Sequence, residues 1–443
     1  LPADAQANQR VAASAWYALA VLTFGAILSY TDRYIINVLV DGIRRDLLLD
    51  DVAISLVQGA AFALVYATAA IPFGMLSDRI SRRLVLLVGT ALWSAGMLGC
   101  GLASTYQQLV AFRCLVGVGE ASFFPASLSF LAAAFPPQRR GLAFGALLMG
   151  SSIGAGAAVS IGGALLALLP PQLDWPFLPT NSSWRGVLVI LAAAGPALML
   201  LILSTREPRR VATDSAAGRL SGGGLPDLLK AGGILLLGLA SLSIADAATA
   251  AWAPAFFSRL LNFTPAQIAA EVGTAAIVGG GAGSFLGGIV SDHLDARGIR
   301  NARERVASAA CGVAMLGLSF VFLSGTSAVA AYALFVFAVG VASVSAAAAL
   351  LRRLPLNTQG LGTAVAAFIM VMAGLGSGPT IVALVKQHIL GDNAQTGTAI
   401  FLVGVLTLLP ALTVFGRPSR TKRASQQKES DGQQQRPTDR PSP

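Results

Sequence analysis

Apolar residues dominate this chain in long runs, and the polar and basic residues gather in short segments between them. A bilayer-spanning helix needs about 20 apolar residues. On that measure the runs predict twelve transmembrane helices, at residues 15–40, 52–76, 84–103, 107–131, 141–169, 185–204, 229–257, 266–290, 304–323, 328–351, 360–386 and 397–416. The stretch from Thr205 to Asp227 carries Arg206, Arg209, Arg210 and Arg219 followed by Ser-Gly-Gly-Gly, a composition that buries no core, and it divides the helices six and six. The predicted organisation is an N-terminal segment over 1–14, a first six-helix bundle over 15–204, a connecting loop over 205–228, a second bundle over 229–416 and a polar tail over 417–443. The tail is repetitive and hydrophilic and is expected to be disordered.

Composition agrees with this reading. Hydrophobic residues make up 55% of the 443 positions and charged residues only 12%, whereas a soluble domain has roughly a quarter charged. The 48 glycines suit helices that approach closely in lipid, where small residues replace the missing hydrophobic drive. A formal net charge of +10 raises nucleic acid as a partner, but no basic stripe interleaved with aromatics is present, and none is expected to bind. Topology explains the charge better. With the N-terminus inside, 24 Lys and Arg fall in cytoplasmic segments and 5 in external ones, leaving Arg33 and Arg113 within the membrane, so both termini are expected in the cytoplasm. No cleavable signal peptide is expected, because Leu1–Arg10 is polar and the first apolar run continues to full membrane length. Cys100, Cys114 and Cys311 lie in apolar runs without metal or disulfide spacing and read as packing residues. No metal and no cofactor is expected.

The two halves repeat. After helix 2 the chain reads Gly74-Met-Leu-Ser-Asp78-Arg79, followed by Arg82 and Arg83; after helix 8 it reads Gly288-Ile-Val-Ser-Asp292-His293. Helix 5 begins Gln-Arg-Arg-Gly141-Leu and helix 11 begins Asn-Thr-Gln-Gly360-Leu, again at equivalent positions. Two related halves with a site between them is a transporter plan.

Chemistry concentrates in helix 4, where Phe112–Pro125 reads FRCLVGVGEASFFP. Arg113 and Glu120, seven residues apart, share one face of the helix about two turns from each other. Charges inside hydrocarbon are costly and normally face a water-filled cavity or a partner. Helix 1 supplies a second set in Tyr30-Thr-Asp32-Arg33-Tyr34. Counting along the helices at 1.5 Å per residue puts Asp32 about 12 Å below the external end, Arg113 about 9 Å and Glu120 about 20 Å.

The Gly74 to Arg83 loop resembles the loop signature of the major facilitator superfamily, with Ser81 where a second Gly is usual. Within it, the Tyr30–Tyr34 segment, Arg113 to Ser127 and Trp252 to Thr264 together resemble the spinster family of lysolipid and sphingosine-phosphate transporters, most of all its bacterial members. Phe124-Pro125 is shared with a related organic-anion symporter group. The resemblance implies an all-α membrane protein of two pseudo-symmetric six-helix bundles in a bacterial inner membrane. It also implies a monomeric secondary transporter that moves a lipid-like or organic anion, coupled to protons, by alternating access.

That fold makes helices 1 and 4 neighbours around the cavity, so Arg113 has a carboxylate and an anionic substrate as competing partners. Low dielectric and a nearby guanidinium act in opposite directions on a carboxylate's proton affinity, so relative movement converts conformation into proton binding. Asp32 and Glu120 are thus the proton-coupling candidates. Arg33 and Arg113, with Tyr30, Tyr34 and Phe123, are the substrate-binding candidates, since an Arg fork grips phosphate or carboxylate bidentately. A purely structural ion-pair network is disfavoured, because buried pairs stabilise poorly compared with apolar packing.

Gly74, Asp78, Arg79, Arg82, Arg83 and Asp292 are expected to form the cytoplasmic gate, with Asp78 at the N-terminus of helix 11 near Gly360. Asp246 in helix 7 faces the cavity or hydrogen-bonds between helices. Asp51 complements the start of helix 2 or joins an external gate. An intramembrane enzyme is disfavoured, since no helix carries a metal-binding His/Glu spacing or a Ser/His pair.

Overall fold

The computed structural model describes residues 11–208, 225–354, 359–391 and 396–417. The tail and most of the central loop lie outside these residues, as do the first ten positions. The described residues form helices long and apolar enough to cross a membrane at twelve places. They are α1 (Ala13–Leu47), α2 (Asp51–Ser77), α3 (Arg82–Leu102), α4 (Tyr106–Ala134), α5 (Pro137–Leu168), α6 (Ser183–Ser204), α7 (Leu228–Arg259), α8 (Pro265–Ala296), α9 (Ala302–Phe322), α10 (Gly325–Arg353), α11 (Gly362–Leu390) and α12 (Thr396–Gly416). Among the described residues there is no strand, only an isolated bridge between Gln172 and Ser182 in the α5–α6 connection. The helix layer has two faces: the near face, where α1 begins, and the far face, where it ends.

Several helices are longer than their apolar runs, because the aqueous ends are amphipathic. The clearest case is α1, which is interrupted at Ile35 and resumes as Ile36–Leu47, carrying Asp41, Arg44, Arg45 and Asp46 beyond the last apolar stretch. Helix starts follow local chemistry. Ser81 caps α3 by accepting from the Leu84 amide, and Thr105 caps α4 by accepting from Gln108. Ser81, at the position where glycine is usual in the loop signature, therefore acts as a helix cap. At α2 the cap is Asp50, whose Oδ1 accepts from the Ala53 amide at 2.7 Å, which leaves Asp51 free for another role.

The halves touch mainly toward the far face. Along α5 and α8, a Cβ at Gly163 would run into Pro265 and Ala269, and one at Gly156 into Ile277, whereas Gly141 and Gly145 nearer the other end of α5 have nothing within 4 Å. Between α2 and α11, Gly59 sits against the Leu375 carbonyl. Both lie in π-helical turns, Leu56–Ala60 and Met370–Leu375, irregularities that often mark functional positions. Among the described residues, the close backbone contacts between the bundles thus lie toward the far face.

Candidate functional site

The interruption of α1 at Ile35 organises the charges. The Arg113 guanidinium spans it from α4, donating to the carbonyl of Asp32 at 3.2 Å, of Arg33 at 2.5 Å and of Val57 in α2 at 3.2 Å. It is fully buried, with its charge spread over three backbone oxygens. The sequence reading had paired Arg113 with a carboxylate. In this conformation it instead braces the backbone of α1 and α2, because the irregular turn presents carbonyls that need donors.

The carboxylate partner falls to Arg33. Its Nη2 meets Glu120 Oε2 at 2.7 Å and its Nε reaches the same oxygen at 3.1 Å. Ser29 Oγ, one turn earlier on α1, donates to that oxygen at 2.9 Å, while Oε1 has no hydrogen-bond partner among the described residues. Three rings enclose the Arg33 guanidinium: Tyr30 at 4.4 Å, Tyr66 at 4.6 Å and Phe62 at 4.9 Å. Phe62 also lies 4.9 Å from the Arg113 guanidinium, so one ring faces both cations.

Asp32, buried at 2% exposure, forms no ion pair among the described residues, and its Oδ2 accepts from Trp93 Nε1 of α3. Its Oδ1 has no partner among the described residues. Trp93 reaches this place because Gly119 lets α3 and α4 pack backbone against backbone; a Cβ there would strike the Trp93 amide. The site therefore contains two buried carboxylates, each with one satisfied and one unsatisfied oxygen. Such an oxygen is a place for a proton.

Of the aromatic candidates, Tyr30 and Tyr34 are half-buried, their rings 6.3 Å apart, and Phe124 meets Tyr30 edge-on at 5.9 Å. Phe123, expected at the cavity surface, is only 1% exposed and packs on Trp93 and Gly25 inside the bundle. It turns inward because Gly25 leaves room for a ring.

On the far side of this centre, polar contacts join the two bundles. Gln58 donates to Asn37 Oδ1 at 3.2 Å and to the Ala251 carbonyl at 3.0 Å, and Asn37 donates to the Ala250 carbonyl at 3.3 Å. Farther out, Asp51 pairs with Lys386 of α11, with Arg44 at 3.0 Å and with Arg259 of α7 at 3.5 Å; Arg259 also meets Asp41 at 2.6 Å. These contacts join the two bundles. A cavity of about 500 Å³ opens beside them, lined in part by Asn37, Asp41, Arg45, Trp184 and Pro254.

Several residues expected to gate the near face bond within their own half of the chain. Arg82 donates to Ser129 at 2.8 Å, and its amide to Glu207; Arg83 donates to the carbonyls of Leu203 and Thr205. These partners lie in the first bundle and at the start of the connecting loop. Asp292 pairs with Arg303 at 2.9 Å, within the second. Arg79 is exposed, a Cβ added at Gly74 would meet only Pro125, at 3.9 Å, and the expected meeting of Asp78 with Gly360 lies outside the described side chains. Sequence reasoning passed over Ser29, Phe62, Tyr66 and Trp93. Only Trp93 left a signal, as a buried indole that needs a hydrogen-bond acceptor.

The family model of the Major Facilitator Superfamily matches residues 22–379. The chain belongs to that superfamily. Its proteins are transporters rather than enzymes, and this member is an integral membrane protein. It is 28% identical over 419 residues to an MFS-type efflux pump of Mycolicibacterium smegmatis, covering 92% of this chain and 94% of the relative. It is 27% identical over 319 residues to the sphingosine-1-phosphate transporter SPNS2 of Danio rerio, covering 68% of this chain and 60% of that protein. Among solved structures it resembles a bacterial homologue of the human lysosomal transporter spinster in an inward-facing, unoccupied conformation. The TM-score is 0.72 at 22% identity, over 91% of this chain and 95% of the other. The superfamily fold accounts for the two six-helix bundles and for the repeated loops after α2 and α8.

Proposed function

We propose that this superfamily member is a proton-coupled secondary transporter that moves an amphipathic, lipid-like anion by alternating access. The observation that carries the reading is the Arg33–Glu120 pair, held inside an aromatic box next to a second cation. Protonation of Glu120 removes the counter-charge and frees the guanidinium for a phosphate or carboxylate; deprotonation re-forms the pair and expels the anion. Asp32, hydrogen-bonded to Trp93, is a second proton carrier beside the α1 interruption. Arg113 couples the two by gripping the carbonyls of Asp32 and Arg33. The tyrosines and Phe124 offer apolar surface for an acyl chain. The likeness to a sphingosine-1-phosphate transporter supports the substrate class.

The charge asymmetry of the loops supports a near face in the cytoplasm of a bacterial inner membrane, so the described conformation opens inward. Uptake into proteoliposomes under an imposed pH gradient tests the reading. Asp32→Asn and Glu120→Gln are expected to abolish gradient-driven transport of a lysolipid, and full gradient dependence in both variants would overturn the assignment. Thermal stabilisation by a hexuronate but not by a lysolipid would move the substrate to the organic-anion class.

A further inference from the structure

Two second-bundle helices whose backbone meets α2 carry a proline inside the helix, Pro254 in α7 and Pro379 in α11. Proline has no N–H, so the carbonyl four residues earlier loses its helical donor, and the ring pushes that carbonyl aside. The carbonyls concerned belong to Ala250 and Leu375. A carbonyl away from water needs a donor. Asn37 Nδ2 of α1 donates to the Ala250 carbonyl at 3.3 Å, and Gln58 Nε2 of α2 donates to the next carbonyl, that of Ala251, at 3.0 Å. Gln58 also donates to Asn37 Oδ1 at 3.2 Å, which joins the two amides into one unit. The Leu375 carbonyl lies against Gly59, where an added Cβ would collide with its oxygen and come within 3.2 Å of Pro379 Cγ. Both prolines thus turn a backbone carbonyl toward the first bundle.

The receiving residues are consecutive. Gln58 and Gly59 belong to the π-helical turn Leu56–Ala60, and Val57 of the same turn gives its carbonyl to Arg113 at 3.2 Å. Arg113 in turn holds the carbonyls of Asp32 and Arg33, one turn before Asn37 on α1. A single turn of α2 therefore connects the charged centre, through Val57, with α7 through Gln58 and with α11 through Gly59. Within the second bundle, Trp252 Nε1 donates to the Pro379 carbonyl at 2.9 Å, so the two proline sites are tied to each other.

Resting on the alternating-access reading above, we infer that Pro254 is a positioning residue for transport: by withholding an N–H from α7 it reserves the Ala250 carbonyl as the acceptor through which Asn37 holds the far face closed. Pro379 reserves the Leu375 carbonyl for Gly59 in the same way. The proline makes an acceptor, and any bend in the helix is secondary.

Spin labels at the exposed far-end positions Leu48 and Ile389 of the full-length protein test this. Pro254→Ala supplies the missing N–H, so the Ala250 carbonyl bonds within α7. The far-face-open population is expected to grow about fivefold, the weight of one net hydrogen bond. The thermal unfolding midpoint is expected to hold or rise, because alanine suits a helix better than proline. A residue with a merely structural role would lose closure and stability together, and that result would overturn the inference. Pro254→Gly supplies the same N–H but still permits bending, so it is expected to open the far face as Pro254→Ala does; closure kept in the glycine variant would assign the proline to bending instead. Asn37→Ala is expected to open the far face on its own and to add little to Pro254→Ala, and strict additivity would show that the two do not act through one bond. Each of these failures leaves the transport reading in place. Wild-type labels that keep one distance on a change of pH and on addition of a lysolipid would sink alternating access and this inference with it.

Discussion

Arg33 and Glu120, 87 residues apart in the chain, meet at 2.7 Å with 3% and 0% of their side chains exposed. Removing one member of such a pair leaves an uncompensated buried charge, which costs about 3–5 kcal/mol. Glu120→Ala is therefore expected to lower the thermal unfolding midpoint sharply, while the double variant Arg33→Gln/Glu120→Gln loses less than the sum of the single changes. Strict additivity in unfolding of the detergent-solubilised protein would show that the two side chains do not interact.

Arg113 acts through its shape. Its planar fork serves three carbonyls in two helices, and a lysine ammonium has no such fork. Arg113→Lys is expected to strand at least one buried carbonyl at a cost of about 1–3 kcal/mol. The local consequence is faster amide hydrogen exchange around Ile35, where α1 is already interrupted. Unchanged exchange over residues 31–38 would mean that Arg113 does not brace the break.

The difference between Arg113 and Arg33 also shows what the sequence makes legible. Span number, the six-and-six division and the set of intramembrane charges follow from hydropathy, because lipid penalises every charge it must enclose. Pairing does not follow. Asp32 and Arg33 are adjacent in α1, yet one side chain turns to Trp93 and the other to Glu120, a choice set by the close packing of α3 and α4 at Gly119. Helical spacing alone carries no such information. The burial of Phe123 is not legible for the same reason, since it depends on Gly25 of another helix. Asp51 was half legible: acidic residues favour helix starts, but the neighbour Asp50 takes the cap and Asp51 faces the other bundle.

Asp51 is consequently a latch. It pairs with Arg44 of α1, Arg259 of α7 and Lys386 of α11, so one carboxylate ties both bundles together at the far face. Asp51→Asn removes the counter-ion of Arg44 and Lys386 and leaves Arg259 with Asp41 alone. Loss of about 1–2 kcal/mol from this closed state shifts the equilibrium roughly 5–30-fold toward opening at the far face. Spin labels at the exposed positions Leu48 and Ile389 report the change, since they lie at the far ends of opposite bundles. The long-distance population between them is expected to grow in Asp51→Asn, and an unchanged distribution would remove the latch assignment.

Gly59 makes the same closure depend on backbone contact. Its π-helical turn in α2 sits directly against the Leu375 carbonyl of the π-helical turn in α11, and a Cβ would fall inside that oxygen's van der Waals envelope. Neither atom is the end of a flexible side chain, so the bundles must separate to accommodate even one methyl group. Gly59→Ala is expected to disfavour the far-face-closed conformation without touching any charge, and overpacking of this kind typically costs about 1–3 kcal/mol. The Leu48 to Ile389 label distance should therefore lengthen in Gly59→Ala as in Asp51→Asn. High salt separates the two causes: screening weakens the exposed part of the ion cluster and opens the wild type toward the Asp51→Asn distribution, but it cannot relieve a steric block. If low salt restores closure in Gly59→Ala, the contact with Leu375 is not what holds the bundles together.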